Sequence, residues 1–208
     1  RLRRCWRSLK LATAPSSRAG DHRNQPVGII WILFDPHNGT AGQPTRTLYA
    51  AVSSREGGLF RSLDAGRTWQ PLPGQPTGLR PTRAALAPDG RLFLAFGNAP
   101  GPNTMTDGAV WIYDPRKNDA WTDITALRSD KKPLTGFGYG AVALDPSNPD
   151  TVIAATFCRW EPHDEIFRSD DGGKTWRALM PGSHWDFARS PWARHHTAPW
   201  VADFKNDP

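Results

Sequence analysis

The chain of 208 residues is expected to be all-β: a β-propeller fragment of about three four-stranded antiparallel blades plus the first strand of a fourth. Three observations predict this. Composition comes first: 20 Pro, 19 Gly and 10 Trp punctuate short apolar runs, so brief strands alternate with tight turns. Second, "RSLDAGRTW" (61–69) and "RSDDGGKTW" (168–176) share one plan, Ser-x-Asp-x-Gly-x-Thr-Trp. It falls on Ser62, Asp64, Gly66, Thr68 and Trp69, and again on Ser169, Asp171, Gly173, Thr175 and Trp176. Third, Trp121 lies midway, so that Trp69, Trp121 and Trp176 stand 52 and 55 residues apart. A period near fifty suits propeller blades better than leucine-rich or helical repeats.

Each unit opens on an apolar run before a Pro-containing turn: "IIWILFDPHNG" (29–39), "RAALAPDGR" (83–91) and "GAVALDPSNPD" (140–150). A second strand follows at "TLYAAVSS" (47–54), "LFLAFGNA" (92–99) and "TVIAATFC" (151–158). Third strands are expected at "GGLFRSL", "GAVWIYD" and "DEIFRSD", and fourth ones at "TWQPL", "AWTDIT" and "TWRAL". Blades therefore fall at about 28–73, 81–126 and 137–180, with a loop at 181–198 and a new blade opening at 199–208. One such meander cannot bury both faces, so it must stack on neighbours, and radial stacking gives a propeller. Closure takes roughly four to eight blades, so residues 25–208 are expected to be part of a larger propeller.

The formal charge of +6 is unevenly placed. Residues 1–24 carry seven basic side chains against Asp21 alone, which leaves the remainder with 19 of each sign. A duplex-binding face concentrates positive charge in the fold, because release of phosphate counterions drives that binding; no nucleic-acid partner is expected. The basic segment has no apolar run of the length a secretory leader needs and reads as an arm, disordered or foreign to the fold. No run approaches the ~18 apolar residues of a membrane span, and no membrane partner is expected. Cys5 and Cys158 offer neither a disulfide framework nor a metal motif, and Cys158, within an apparent strand, reads as a small buried hydrophobe.

The Ser-x-Asp-x-Gly-x-Thr-Trp element sits between third and fourth strands, where it must turn a hairpin. Asp64 and Asp171 can accept backbone N–H bonds across that turn, the glycine can take positive φ, and the tryptophan can bury its ring beneath. A general acid, a base or a metal ligand is the competing interpretation. Repetition in two separate blades and the local spacing favour the structural role. The middle unit, "YDPRKNDAW", lacks the element, so a meander can form without it.

These units resemble the Asp-box, or BNR, repeats of glycosidase propellers. From about residue 28 onward, through "PGQPTGLRPTRAALAPDGRLFLAFGNAPGPNTMTDGAVWIYD" and "FGYGAVALDPSNPDTVIAATFCRWEPHDEIFRSDDGGKTWRAL", the chain resembles glycoside hydrolase family 74, the xyloglucanases. The resemblance implies two seven-bladed propellers flanking a cleft for β-glucan or xyloglucan, and inverting hydrolysis by two aspartates. Such chemistry needs an acid on the leaving oxygen and a base on water, about 6.5–9.5 Å apart. The family's aspartates sit in Asp-Ile-Gly-Gly-Ala-Tyr and Gly-Asp segments that this sequence does not contain. "SDDGGKTW" only mimics the first. The catalytic pair is therefore expected outside this stretch, which would be an internal piece of the first propeller and inactive alone. The resemblance further implies an extracellular or periplasmic setting, no cofactor, and as partners the rest of the propeller and a second one.

A family segment of the type Arg-Trp-Trp-Pro-Gly-Asp, whose tryptophans stack on glucosyl units, matches here at Arg159, Trp160, Pro162 and Asp164; Glu161 and His163 replace the second Trp and the Gly. Trp160 is the expected sugar platform, since a flat apolar ring covers the C–H face of a pyranose, with Arg159 beside it. A tryptophan packed between blades is the alternative. Tyr139, in "GFGYG", is the third candidate ligand contact, against a packing role. That run precedes a strand and lacks a following Lys-Ser/Thr, which excludes a phosphate loop. His195 and His196, with His184 and Asp186, lack helical metal spacing and read as a loop beside the cleft; no metal is expected. Asp164 and Glu165 would point to opposite faces of a strand and cannot serve one bond together.

Two other functions fit an Asp-box propeller. One is non-catalytic binding of glycan or protein, as in sorting-receptor or assembly-factor propellers. The other is sialidase chemistry, disfavoured because Tyr49, Tyr113 and Tyr139 are the only tyrosines and all lie in strands or at their starts.

Overall fold

The computed structural model describes residues 27–99, 104–160 and 163–179. The basic arm, the 181–198 loop with its histidines, and the expected strand at 199–208 lie outside them. The described residues form three four-stranded antiparallel sheets. The first holds β1 (Val27–Phe34), β2 (Leu48–Ser53), β3 (Leu59–Ser62) and β4 (Gln70–Pro71). The second holds β5 (Arg80–Leu86), β6 (Leu92–Gly97), β7 (Gly108–Asp114) and β8 (Ala120–Asp123). The third holds β9 (Gly138–Asp145), β10 (Asn148–Phe157), β11 (Ile166–Ser169) and β12 (Arg177–Ala178). Each is a simple meander in chain order, as expected from the spacing of apolar runs and turns. Pro36–Asn38 forms one turn of 3-10 helix, capped by the Asp35 carboxylate. Among the described residues no helix is long and apolar enough to cross a membrane.

The sheets stack through their faces. In the middle sheet every residue of β6 is buried, because alternate side chains serve two interfaces. Leu92, Leu94 and Phe96 join Tyr49, Leu59 and Tyr113 between the first and second blades. Phe93 and Ala95 join Val110, Ile112, Tyr139, Val142, Val152 and Phe167 between the second and third. A strand dry on both faces explains the unbroken run "LFLAF", which an alternating pattern would not produce. On β1, by contrast, Ile32 and Phe34 remain 42% and 62% exposed, while Trp31 and Leu33 pack inward.

The first strand of every blade is irregular near one end. Register shifts fall between Val27 and Trp31, between Pro81 and Arg83, and between Tyr139 and Ala141, the last opposite Ala155 and Thr156 of β10. Pro81 is accommodated at such a shift, where a missing N–H costs no ladder bond. Strand direction places the β2–β3, β4–β5, β6–β7, β8–β9 and β10–β11 connections at this same end. The Asp-box turns lie at the other.

Both Asp-boxes close on the same set of bonds. Ser169 Oγ donates to Asp171 Oδ1 and accepts from Gly173 N (2.8 Å), while Asp171 accepts from Thr175 N and Oγ1 at 2.9 and 2.6 Å. Trp176 Nε1 donates to Gly173 O at 3.1 Å. Ser62, Asp64, Gly66, Thr68 and Trp69 repeat this arrangement. Gly173 needs its missing side chain, since its φ is +88° and Ile124 of the neighbouring blade lies where a Cβ would stand. Bonds from Thr68 and Thr175 hold the Asp64 and Asp171 carboxyls down at about 2.

A depressed carboxylate pKa contributes stability above the unfolded value, near 3.8, which is lost as pH falls towards about 2. The thermal midpoint is therefore expected to drop in that acid window, and to drop less steeply in a Asp64→Asn, Asp171→Asn double variant. Identical slopes would place the acid sensitivity elsewhere.

The middle blade, lacking the box, closes differently. Asn118 and Asp119 turn the chain with φ of 55° and 56°, both tolerant of the left-handed region. The Tyr113 hydroxyl donates to Asp119, and Arg61 of the first blade reaches the Tyr113 oxygen at 3.1 Å and Asp119 Oδ1 at 3.3 Å. Trp121 sends its indole N–H not to its own turn but to Pro73 O of the first blade, 2.8 Å away.

Candidate functional site

The connection from β10 to β11 carries Arg159 and Trp160 and stands at the end of the sheet opposite the Asp-box. β10 stops at Phe157; Cys158, expected inside the strand, has left the ladder with φ +69°. Its thiol is fully buried beside Ala99 and Met105, and burial pushes its pKa up to about 12, which makes it inert.

Asp164 ties the two ends of this loop together. Its Oδ1 accepts from Thr156 Oγ1 (2.9 Å), at the end of β10, and from Arg159 N (3.1 Å), at the start of the loop. Thr156 Oγ1 in turn accepts from Glu165 N at 2.8 Å. Oδ2 of Asp164 is buried without a hydrogen-bond partner, and burial raises the carboxyl's pKa despite the opposing donors on Thr156 and on the Arg159 and Cys158 backbone. The third strand begins only at Ile166, so Asp164 and Glu165 lie in the loop rather than on a strand as expected. Glu165 caps Ile166 N, so both carboxyls are committed to local backbone.

Trp160 is half-buried and belongs to none of the three buried apolar clusters. Its backbone N–H donates to Leu134 O (3.0 Å) on the β8–β9 connection. Arg159 lays its guanidinium 5.3 Å from the Phe137 ring centre, a cation–π contact, with Nε buried. It braces the loop against the same connection.

Tyr139 takes the packing role. It is fully buried in the core between second and third blades, and its hydroxyl donates to Leu127 O (2.8 Å) and accepts from Leu127 N (2.9 Å). It thus pins the β8–β9 connection from beneath. The sequence offered no signal for this, nor for Leu134 and Phe137 as supports, because each contact joins segments far apart in the chain.

Two open cavities share this end of the sheets. One, of about 270 Å3, is lined by Ser53, Arg80, Arg83, Met105 and Phe157; the other, of about 490 Å3, by Thr77, Asp107, Trp111, Asp123, Arg128 and Lys131. In the second, each carboxylate is already paired: Lys131 with Asp107 at 2.9 Å, Arg128 with Asp123 at 2.7 Å. Among the described residues no cluster of His, Cys, Asp and Glu could hold a metal ion. A half-buried indole on a braced loop, with the Asp107 and Asp123 carboxylates already paired, suits holding a neutral polyol better than breaking its bonds.

Comparison with known proteins agrees with this description. Residues 167–178 match the BNR/Asp-box repeat family. The chain is 36% identical over 189 residues to a xyloglucanase from Paenibacillus sp, covering 88% of the chain and 18% of that protein. It is 34% identical to a xyloglucanase from Acetivibrio thermocellus, over 87% of the chain and 22% of the relative. Among solved structures, the GH74 xyloglucanase from Xanthomonas campestris superposes with a TM-score of 0.76 at 41% identity, covering 85% of this chain and 25% of its own. The GH74 enzyme of Niastella koreensis follows at 0.61 and 29%, over 73% of this chain and 22% of its own. The chain thus spans about a fifth of the length of the curated relatives it matches.

Proposed function

We propose that this chain, a homologue of the glycoside hydrolase family 74 xyloglucanases, belongs to an enzyme that cleaves β-1,4-glucan backbones such as that of xyloglucan. Its own part is to hold the glycan. The observation that carries this is the Arg159–Trp160 loop, clasped by Asp164 and propped on the β8–β9 connection, whose half-buried indole belongs to none of the buried apolar clusters. Such a ring covers the apolar face of a glucosyl unit while the hydroxyls stay solvated. Arg159, held on Phe137, fixes the angle of the loop.

In this proposal hydrolysis inverts the anomeric centre. One aspartic acid protonates the leaving oxygen and one aspartate activates water, on either side of a cleft to which a second propeller contributes. The clasp and box aspartates described above do not serve: Asp64 and Asp171 spend both oxygens on their own turns, and Asp164 is buried and bonded through Oδ1 to Thr156 and Arg159. The catalytic pair is assigned to segments beyond this chain. A polysaccharide substrate places the enzyme's work outside the cytoplasm.

Trp160→Ala in the full-length protein is expected to weaken binding of long xyloglucan oligosaccharides by about 1–3 kcal/mol, the range of aromatic stacking platforms. Isothermal titration calorimetry checks it. Unchanged affinity together with a lowered thermal midpoint would make Trp160 a core residue and remove the platform from this reading.

A further inference from the structure

We infer that Asp164 is a positioning residue for the glycan-holding surface, a buried carboxylate clasp that sets the pose of Trp160 without itself touching sugar. The inference rests on the proposal that Trp160 is the platform. Its basis is geometric. The loop leaves β10 at Cys158 with φ +69° and comes back through His163 with φ +148°, two backbone conformations that side chains other than glycine's rarely adopt. Strain of this kind persists only where surrounding bonds over-determine it.

Asp164 supplies those bonds. A single oxygen, Oδ1, joins the last turn of β10 through Thr156 Oγ1 to the first loop amide, Arg159 N. The next amide, of Trp160, is then directed to Leu134 O at 3.0 Å. Removing Oδ1 would free Arg159 N and Thr156 Oγ1 and let both unusual φ angles relax, and Trp160 would turn with them.

The second oxygen is telling. Oδ2 lies buried with no donor, and Arg159 Nε and His163 Nδ1 are likewise buried and unpartnered in the same loop. Such groups cost stability and call for an explanation. Both clasp bonds run to Oδ1, and an amide would keep that accepting oxygen and carry no charge to bury. The clasp therefore needs Oδ1 and not the charge. Asp164→Asn keeps the pose, and Asp164→Ala loses it.

A double-mutant cycle on the full-length protein, read as affinity for a xyloglucan oligosaccharide, tests this. Asp164→Ala is expected to weaken binding at least about fivefold in the wild-type background, and to add nothing once Trp160→Ala is present. Asp164→Asn should bind as the wild type does, with an equal or higher thermal midpoint. The clasp is overturned if Asp164→Ala leaves affinity unchanged, if its effect adds in full to that of Trp160→Ala, or if Asp164→Asn binds as poorly as Asp164→Ala. Should Asp164→Ala fail to fold, Thr156→Val removes one of the two bonds to Oδ1 together with the Glu165 N bond, and a weakened affinity that vanishes in the Trp160→Ala background is again expected, an unchanged affinity overturning the clasp. Failure of the platform itself looks different: Trp160→Ala alone would then leave affinity untouched.

Discussion

Gly108→Ala is expected to destabilise the protein by about 3 kcal/mol or more, the upper range for overpacking, because the clash is with backbone. A Cβ at Gly108 would run into the carbonyl oxygen of Phe96 on β6 and stand 2.5 Å from the Cα of Gly138 on β9. Gly108 begins the third strand of one blade and Gly138 the first strand of the next, so the two sheets meet main chain against main chain. Nothing flexible can give way, and the sheets must part. At Gly138 the added methyl would meet the Met105 side chain, which can move, with Gly97 Cα at 3.0 Å. Gly138→Ala should therefore cost less. Denaturant unfolding of both variants decides it: a Gly108→Ala protein as stable as the wild type would show that the blades do not approach this closely.

Tyr139→Ala should cost about 3–5 kcal/mol, the usual penalty for emptying a buried aromatic site. The ring is fully buried, stands edge-on to Phe137 at 6.0 Å between centres, and borders the cluster joining two blades. Tyr139→Phe retains the ring and gives up both bonds to Leu127, for a loss of about 1–2 kcal/mol. Because Leu127 and Leu134 lie on one connection, the phenylalanine variant should also loosen the support of Trp160 and weaken glycan binding slightly. Equal losses of stability from Ala and Phe would mean that the cavity contributes nothing.

How much of this could be read from the residues follows the range of each interaction. The Asp-boxes were legible because every bond in them spans four residues or fewer. The three meanders were legible because apolar runs and turn formers alternate at blade spacing. Tyr139 was only partly so: at a strand entrance it reads as a candidate ligand contact against the commoner packing role, and the bonds to the Leu127 peptide, brought near by the β8–β9 connection, give it the packing role. The end of β10 was also obscure, since nothing in "TVIAATFC" announces that Cys158 turns to positive φ. Asp164 matched a segment of known type, but its partner Thr156 belongs to the preceding strand, and pairing across a loop leaves no periodic trace in one sequence. Arg61, paired across blades with Tyr113 and Asp119, is hidden for the same reason.

That last tie bears on how the molecule breathes. The third blade, with its Asp-box, carries its own latch, so its outer hairpin can open and reclose while its neighbour stays intact. The middle blade has handed its latch to another: Trp121 is held by Pro73, and the Tyr113–Asp119 turn by Arg61. Its outer hairpin cannot fray without pulling on the first blade. In amide hydrogen exchange, β7 and β8 should therefore open together with β3 as one cooperative unit, while β11 and β12 exchange on their own schedule.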